Sequence, residues 1–109
     1  MREIPITVYD TSDVTVNGEY RDTNFLGYDG ENEATELTIN LPATWTGSFY
    51  LDWAAGADFV ESDGSYTDTT IVYLVPSAEL VVGDVYLRIR VVDGDTVLYV
   101  DPIKFVVKP

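Results

Sequence analysis

The chain of 109 residues contains no cysteine and no histidine. Without cysteine it has neither a disulfide nor a thiolate metal site. Without histidine it lacks the commonest general base, the commonest transition-metal ligand and the usual switch near neutral pH. Cations are scarce: 6 lysines and arginines stand against 19 aspartates and glutamates, for a net charge of −13. Such a field repels phosphate backbones and anionic lipid headgroups, so no nucleic acid is expected as a partner, and a basic protein surface is favoured. No apolar run approaches the roughly 20 residues of a spanning helix, so no membrane insertion is expected. Met1-Arg2-Glu3 followed by Ile4-Pro5-Ile6 offers no apolar core or small-residue cleavage site, so no secretory leader is expected in these residues. Amphipathic helical periodicity is missing too, apart from one turn's worth at Pro76-Ser77-Ala78-Glu79-Leu80.

What remains is strand-like alternation punctuated by turns. Residues 85–100 form the clearest hairpin, with Asp93-Gly94 suited to a two-residue turn that needs positive φ. That loop pairs Val92 with Asp95, Arg90 with Val97, Ile89 with Leu98 and Arg88 with Tyr99. Leu87, Ile89 and Val91 then share an apolar face with Leu98 and Val100, while Tyr86, Arg88, Arg90, Val97 and Tyr99 take the other. A slip of one residue would drive both arginines into the core, so the register is strongly specified.

Elsewhere, Ile4, Ile6 and Val8 alternate in a first strand, and Pro5 places it at a sheet edge or turns its missing N–H outward. Asn17-Gly18 closes a short hairpin over residues 14–20, and residues 21–33 read as a long ordered loop anchored by Phe25, Leu26 and Tyr28. Leu37, Ile39 and Leu41 point inward from the next strand, followed by Phe49, Leu51 and Trp53 from another. Asp63-Gly64 reads as a second tight turn between Phe59-Val60-Glu61 and Ser65-Tyr66-Thr67. Residues 69–75 set Ile71, Tyr73 and Val75 opposite Val72 and Leu74, which predicts burial on both faces or cover by a partner. Ile103, Phe105 and Val107 make the last strand. Seven to nine short, mostly antiparallel strands at this spacing predict a single all-β domain over 1–109: a β-sandwich core at 34–109 preceded by a strand, hairpin and loop at 1–33.

The order of three features resembles a known family. Gly27-Tyr28-Asp29-Gly30-Glu31-Asn32 leads into the alternating strand at 34–41; the strand with Trp53 follows; Val75-Pro76, Leu80, Gly83 and Tyr86 then precede the Asp-Gly hairpin and the closing strand. This is similar to the immunoglobulin-like N-terminal or attachment modules of tailed-phage virion proteins, such as the baseplate upper protein of phages of Gram-positive hosts and modules of tail and head-fibre proteins. The resemblance covers roughly residues 25–109. It implies an immunoglobulin-like β-sandwich, a non-enzymatic structural protein of the virion made in the host cytoplasm, and other virion proteins or further copies of itself as partners. It leaves open capsid or tail placement, and whether the chain is an anchoring domain or a minimal stand-alone decoration. A general immunoglobulin or fibronectin sandwich is also similar, with Trp53 in place of the core tryptophan and Tyr86 resembling the corner tyrosine.

Candidate sites are few. Tyr86, Arg88, Arg90 and Tyr99 form a patch of the residue types enriched at protein interfaces. Trp45, in the turn-like Pro42-Ala43-Thr44-Trp45-Thr46-Gly47, is either an exposed aromatic for a glycan or protein anchor, or a cap on the open end of the sandwich. The glycan use gives the alternative reading, a carbohydrate-binding or cell-surface adhesion module. Asp29-Gly30-Glu31-Asn32-Glu33 and the trio Glu61, Asp63 and Asp68 concentrate oxygens without calcium-loop spacing, so no metal and no cofactor is expected. Asp52, Glu61 and Asp63 are near enough in sequence to serve as a carboxylate pair for glycoside hydrolysis, yet nothing marks one as a raised-pKa acid, so no catalytic residue is assigned.

Overall fold

The alternating apolar residues sort into two sheets. The structure is a computed structural model that describes residues 2–16, 19–20, 24–27, 35–56, 58–75 and 82–108. Eleven strands follow one another: β1 (Arg2–Asp10), β2 (Asp13–Val16), β3 (Glu19–Tyr20), β4 (Asn24–Gly27), β5 (Thr35–Asn40), β6 (Ser48–Ala54), β7 (Ser65–Tyr66), β8 (Thr70–Leu74), β9 (Gly83–Asp93), β10 (Thr96–Tyr99) and β11 (Ile103–Lys108). One sheet has the order β3-β2-β1-β5-β8; the other has β4-β11-β9-β6-β7, with β10 also on β9. All pairings are antiparallel except β1 with β5 and β4 with β11. The domain is an all-β sandwich. It exceeds the expected seven to nine strands because short pieces, β3 and β7 among them, join the edges.

The inner faces interdigitate in one core: Ile4, Leu37 and Ile71 from the first sheet meet Phe49, Leu87, Ile89 and Phe105 from the second. Trp53 spans the gap, its ring 6.1 Å from that of Tyr73 and 6.2 Å from that of Phe105. The N-terminal segment is part of this core, since Ile4, Ile6, Val8, Val14 and Val16 are all buried. The division at residue 34 therefore separates nothing physically.

Three expectations change. First, the central hairpin pairs Asp93 with Thr96, Val92 with Val97, Val91 with Leu98 and Arg90 with Tyr99, two residues displaced from the expected register. Gly94 occupies the first central position of the turn at φ 61°, as in loops that begin with glycine. A shift of two preserves which residues share a face, so the apolar side survives the change. The return strand then gains one residue: β11 pairs with β9 as Ile103 with Leu87. The extra residue falls around Asp101-Pro102, a bulge where proline has no N–H to lose and the Asp101 N–H donates to the Thr11 carbonyl at 2.7 Å. Second, of the two placements Pro5 allows, the edge is excluded and the outward-turned N–H remains: β1 is an interior strand, between β2 and β5. Pro5 is tolerated because the β2 ladder starts only at Ile6–Val16, leaving Pro5 with a described neighbour on the β5 side alone. Third, Phe59-Val60-Glu61 does not pair with Ser65-Tyr66-Thr67. β7 joins β6 instead, through Phe49–Tyr66 and Tyr50–Ser65, and Val60 makes a lone bridge to Trp53. The expected loop at 21–33 also contains β4, whereas the Asn17-Gly18 turn, the acidic stretch 29–33 and the turn at 76–80 lie outside the described residues.

Candidate functional site

The pairing of β6 with β9 sets Asp52 beside Arg88 and Tyr50 beside Arg90 on the outer face of the second sheet. Opposite charges at directly facing positions attract, and here they build a cluster. Asp52 is fully buried. Its Oδ2 accepts from Arg88 Nε and Nη2 at 3.2 and 2.9 Å and from Arg90 Nε at 3.0 Å. Its Oδ1 accepts from the Ser62 backbone N–H at 2.9 Å and Arg90 Nη2 at 3.4 Å. Arg90 also donates to the Ser62 carbonyl at 3.1 Å. Glu61 adds a more distant carboxylate, 3.8 Å from Arg88 and 3.5 Å from Arg90.

Both guanidinium groups also lie over aromatic rings, two for Arg88 and one for Arg90. Arg88 lies 4.6 Å from the centre of Phe59 and 4.5 Å from that of Tyr99, and Arg90 lies 4.2 Å from that of Tyr50. Burial pushes the Asp52 carboxyl upward, but the hydrogen bonds from Arg90, Ser62 and Arg88 outweigh it and leave the group below its ordinary pKa. The Asp52 hydrogen bond raises Arg90 above its own ordinary value. A carboxylate held ionised this firmly is the reverse of a general acid, which needs a raised pKa.

The two arginines of the expected interface patch are thus engaged within the domain. Tyr86, Arg88, Arg90 and Tyr99 do lie on one face, but both arginines are committed to Asp52, with side chains only 19% and 14% exposed. Residues 59–62 lie across them through Phe59, Glu61 and Ser62. Tyr86 is half-buried opposite Ala54 and Lys104 on that outward face, not turned into a corner. At the hairpin end Val97 and Tyr99 stay exposed. The Arg88–Tyr99 contact forms diagonally rather than across a direct pair, because of the two-residue shift. The spacing of Asp52, Glu61 and Asp63 suggests a carboxylate pair, not the ion cluster that Asp52 centres. The facing of one aspartate with Arg-x-Arg was the signal for a structural cluster, and it became visible only once β6 and β9 were neighbours.

Trp45 is half-buried and packs on the core, closer to a cap than to an exposed anchor. The turn that carries it is closed by the Trp45 N–H donating to the Pro42 carbonyl at 3.0 Å, and Thr46 Oγ1 donates to Asp93 Oδ2 at 2.8 Å, tying it to the hairpin end. A half-open concavity of about 240 Å³ results, lined by Thr44, Trp45, Thr46, Val91, Asp93, Thr96 and Leu98. Leu98 faces the inner side as expected yet is 47% exposed. A second concavity of about 310 Å³ opens at the side of the sandwich between Leu51 and Trp53 of β6, Tyr73 of β8, and Val60 and Glu61. Among the described residues no cluster of acids is arranged to hold a metal ion. Compared with family models, curated proteins and solved structures, the chain matches none.

Proposed function

We propose that this domain is a non-enzymatic attachment and assembly module, a structural component of a phage virion of the kind its sequence resembles, in the capsid, head fibre or tail. The observation that carries the assembly part is the apolar surface. Tyr9, Val72, Leu74, Val97 and Tyr99 are each between 45% and 60% exposed, although the domain has a complete core of its own. Val72 and Leu74 sit on an edge strand, where exposed apolar side chains invite further pairing. The polar cluster around Asp52 is saturated by its own partners and serves to fix residues 59–62 against the second sheet.

The immunoglobulin-like description belongs to the same reading. It is supported by β5 lying beside β8 in one sheet and β6, β9 and β11 neighbouring in the other, as in sandwiches of that type. The parallel β1–β5 pair is an addition to that plan. Virion proteins and further copies of the chain are the partners, with basic surfaces favoured by the net charge of −13.

Light scattering of the domain, alone and mixed with particles lacking it, at low and high salt tests the reading. Association that weakens with salt supports it; a monomer that never joins the particle overturns it. The concavity beside Trp45 favours one alternative, carbohydrate binding: an aromatic face, two apolar side chains, three threonine hydroxyls and a carboxylate suit a sugar ring. A shift of tryptophan emission with one glycan in a strict monomer would favour that alternative.

A further inference from the structure

The open edge of β8 has more structure than an exposed apolar strip. β8 ends the first sheet, and among the described residues no strand pairs with its far side. The Leu41 N–H donates to the Thr69 carbonyl and the Val75 N–H to the Thr35 carbonyl, so the odd-numbered residues of this strand turn their backbone groups toward β5. By the alternation of an antiparallel ladder, Thr70, Val72 and Leu74 turn their N–H and C=O groups outward. This edge carries no proline, lysine or bulge, the usual means of blocking strand addition.

The two sides of that edge differ in chemistry. On the inner side it borders the 310 Å³ concavity formed by Leu51, Trp53, Val60 and Tyr73. Trp53 is 6% exposed, and its indole N–H is buried with no acceptor. On the outer side, the cross-strand row runs Leu74, Glu36, Glu3, and the next runs Val72, Thr38, Pro5. Glu3 and Glu36 are direct neighbours, an arrangement that repels. Among the described outward residues of β1, β2, β5 and β8, Asp13 adds a further carboxylate and none is basic. The described cations that pair with acids, Arg88, Arg90 and Lys104, belong to the other sheet.

We propose that β8 receives an extended basic segment of a partner protein as an added strand. The segment alternates apolar residues, which face inward to the Trp53–Tyr73 concavity, with lysines or arginines, which face outward. Strands lie about 4.8 Å apart, so an outward lysine lays its alkyl stem over Leu74 and brings its ammonium to Glu36, the next strand along. Backbone bonds supply affinity and the alternating side chains supply specificity, as in other strand additions. A second copy of this chain fits less well, because its net charge of −13 repels its own kind. The inference rests on the assembly reading above and assigns it a surface and a partner chemistry.

The probe is a capped seven-residue peptide of alternating lysine and valine, with an acidic counterpart of alternating glutamate and valine. Binding is followed by amide NMR and by tryptophan emission. The expected result is that the basic peptide binds, slows exchange of the Thr70, Val72 and Leu74 amides, and weakens as salt rises, while the acidic peptide does not bind. Val72→Pro removes one outward N–H without taking a bond from β5, and it should lower the affinity about tenfold or more. Should that variant fold poorly, Glu36→Lys on the surface of β5 is expected to lower affinity several-fold at low salt and to flatten the salt dependence. Equal binding of both peptides, unchanged binding to both variants, or shifts confined to the Tyr86–Tyr99 face overturns the proposal. The particle-binding measurement separates the two readings: variants that join the particle as well as the parent remove β8 from the interface and leave assembly standing, whereas a parent that never joins it removes assembly itself.

Discussion

Replacing Asp52 by asparagine removes one charge from the centre of the second sheet while nearly keeping the shape. The carboxylate is fully buried and accepts five hydrogen bonds, four of them from two guanidinium groups. Taking away one partner of such a pair costs about 3–5 kcal/mol, mostly because the remaining charge is left uncompensated. Here the arginine side chains keep 14–19% exposure, and Glu61 stands within 3.8 Å of both, so the lower end, about 3 kcal/mol, applies. For a domain of this size that lowers the melting temperature by roughly 12 °C or more.

The pH dependence gives the same reasoning a sign. The folded pKa of Asp52 lies below the ordinary value of 3.8, so its contribution is complete above the unfolded pKa and is lost as pH falls through the folded one. The gap in stability between the parent and Asp52→Asn should therefore be constant from pH 7 to about 5 and close below about pH 4. Taking the difference matters, because the whole chain discharges over the same range, toward a sequence pI near 4.1, and the loss of self-repulsion affects parent and variant alike. Urea titrations followed by tryptophan emission at several pH values supply the measurement. A cost under about 1 kcal/mol, or a gap that persists unchanged to pH 2.5, would refute the claim that the buried ion cluster holds this face together.

Gly47 sits at φ 108°, and a Cβ there would overlap the Val92 carbonyl oxygen and stand 3.0 Å from the Asp93 Cα, so Gly47→Ala should cost about 3 kcal/mol in a thermal melt and detach the Trp45 turn from the hairpin. Gly94 shares the positive φ, at 61°, but a Cβ there meets nothing within 4 Å; Gly94→Ala should cost only about 1 kcal/mol and Gly94→Val about 2, and equal costs for Gly47→Ala and Gly94→Ala would contradict the contact at Gly47. Trp53→Ala empties the space between the sheets and should cost about 3–5 kcal/mol by denaturant titration. Trp53→Phe should cost much less than that, because it also removes a buried N–H that has no acceptor.

The parity of each strand was readable because burial on one face imposes a period of two. Leu37 and Ile39, Phe49, Leu51 and Trp53, Leu87, Ile89 and Val91, and Phe105 and Val107 all point inward as their alternation requires. Parity does not fix which residue faces which, and a shift of two leaves every face intact. That is why the Asp93-Gly94 turn could be placed one loop position early while the apolar side of the hairpin stayed correct. The bulge at Asp101-Pro102 was hidden likewise, because its compensating bond goes to Thr11 in the turn between β1 and β2, and no local pattern announces a partner so far away in sequence. Pro5 left two placements open for a related reason: a missing N–H excludes one bond on one side, not a neighbour on both, and only the edge placement fails.

The candidate site was less legible than the core because its meaning depends on pairs of strands. Arg88 and Arg90 with Tyr86 and Tyr99 have the composition of an interface, and composition alone cannot tell an open patch from one already occupied. The deciding residue, Asp52, lies 36 positions from Arg88 and 38 from Arg90, joined to them only through the β6–β9 pairing. Once that cluster consumes two of the six basic residues, and Lys104 approaches Asp84 at 4.0 Å, the described ion pairs of the second sheet have used three. The outer face of the first sheet holds Glu3, Asp13 and Glu36, with no basic residue among its described outward positions on β1, β2, β5 and β8. A net charge of −13 attracts an approaching basic partner before contact, over a screening length of about 8 Å at physiological salt. At the edge of β8 it meets Thr70, Val72 and Leu74, whose outward backbone groups have no partner strand among the described residues.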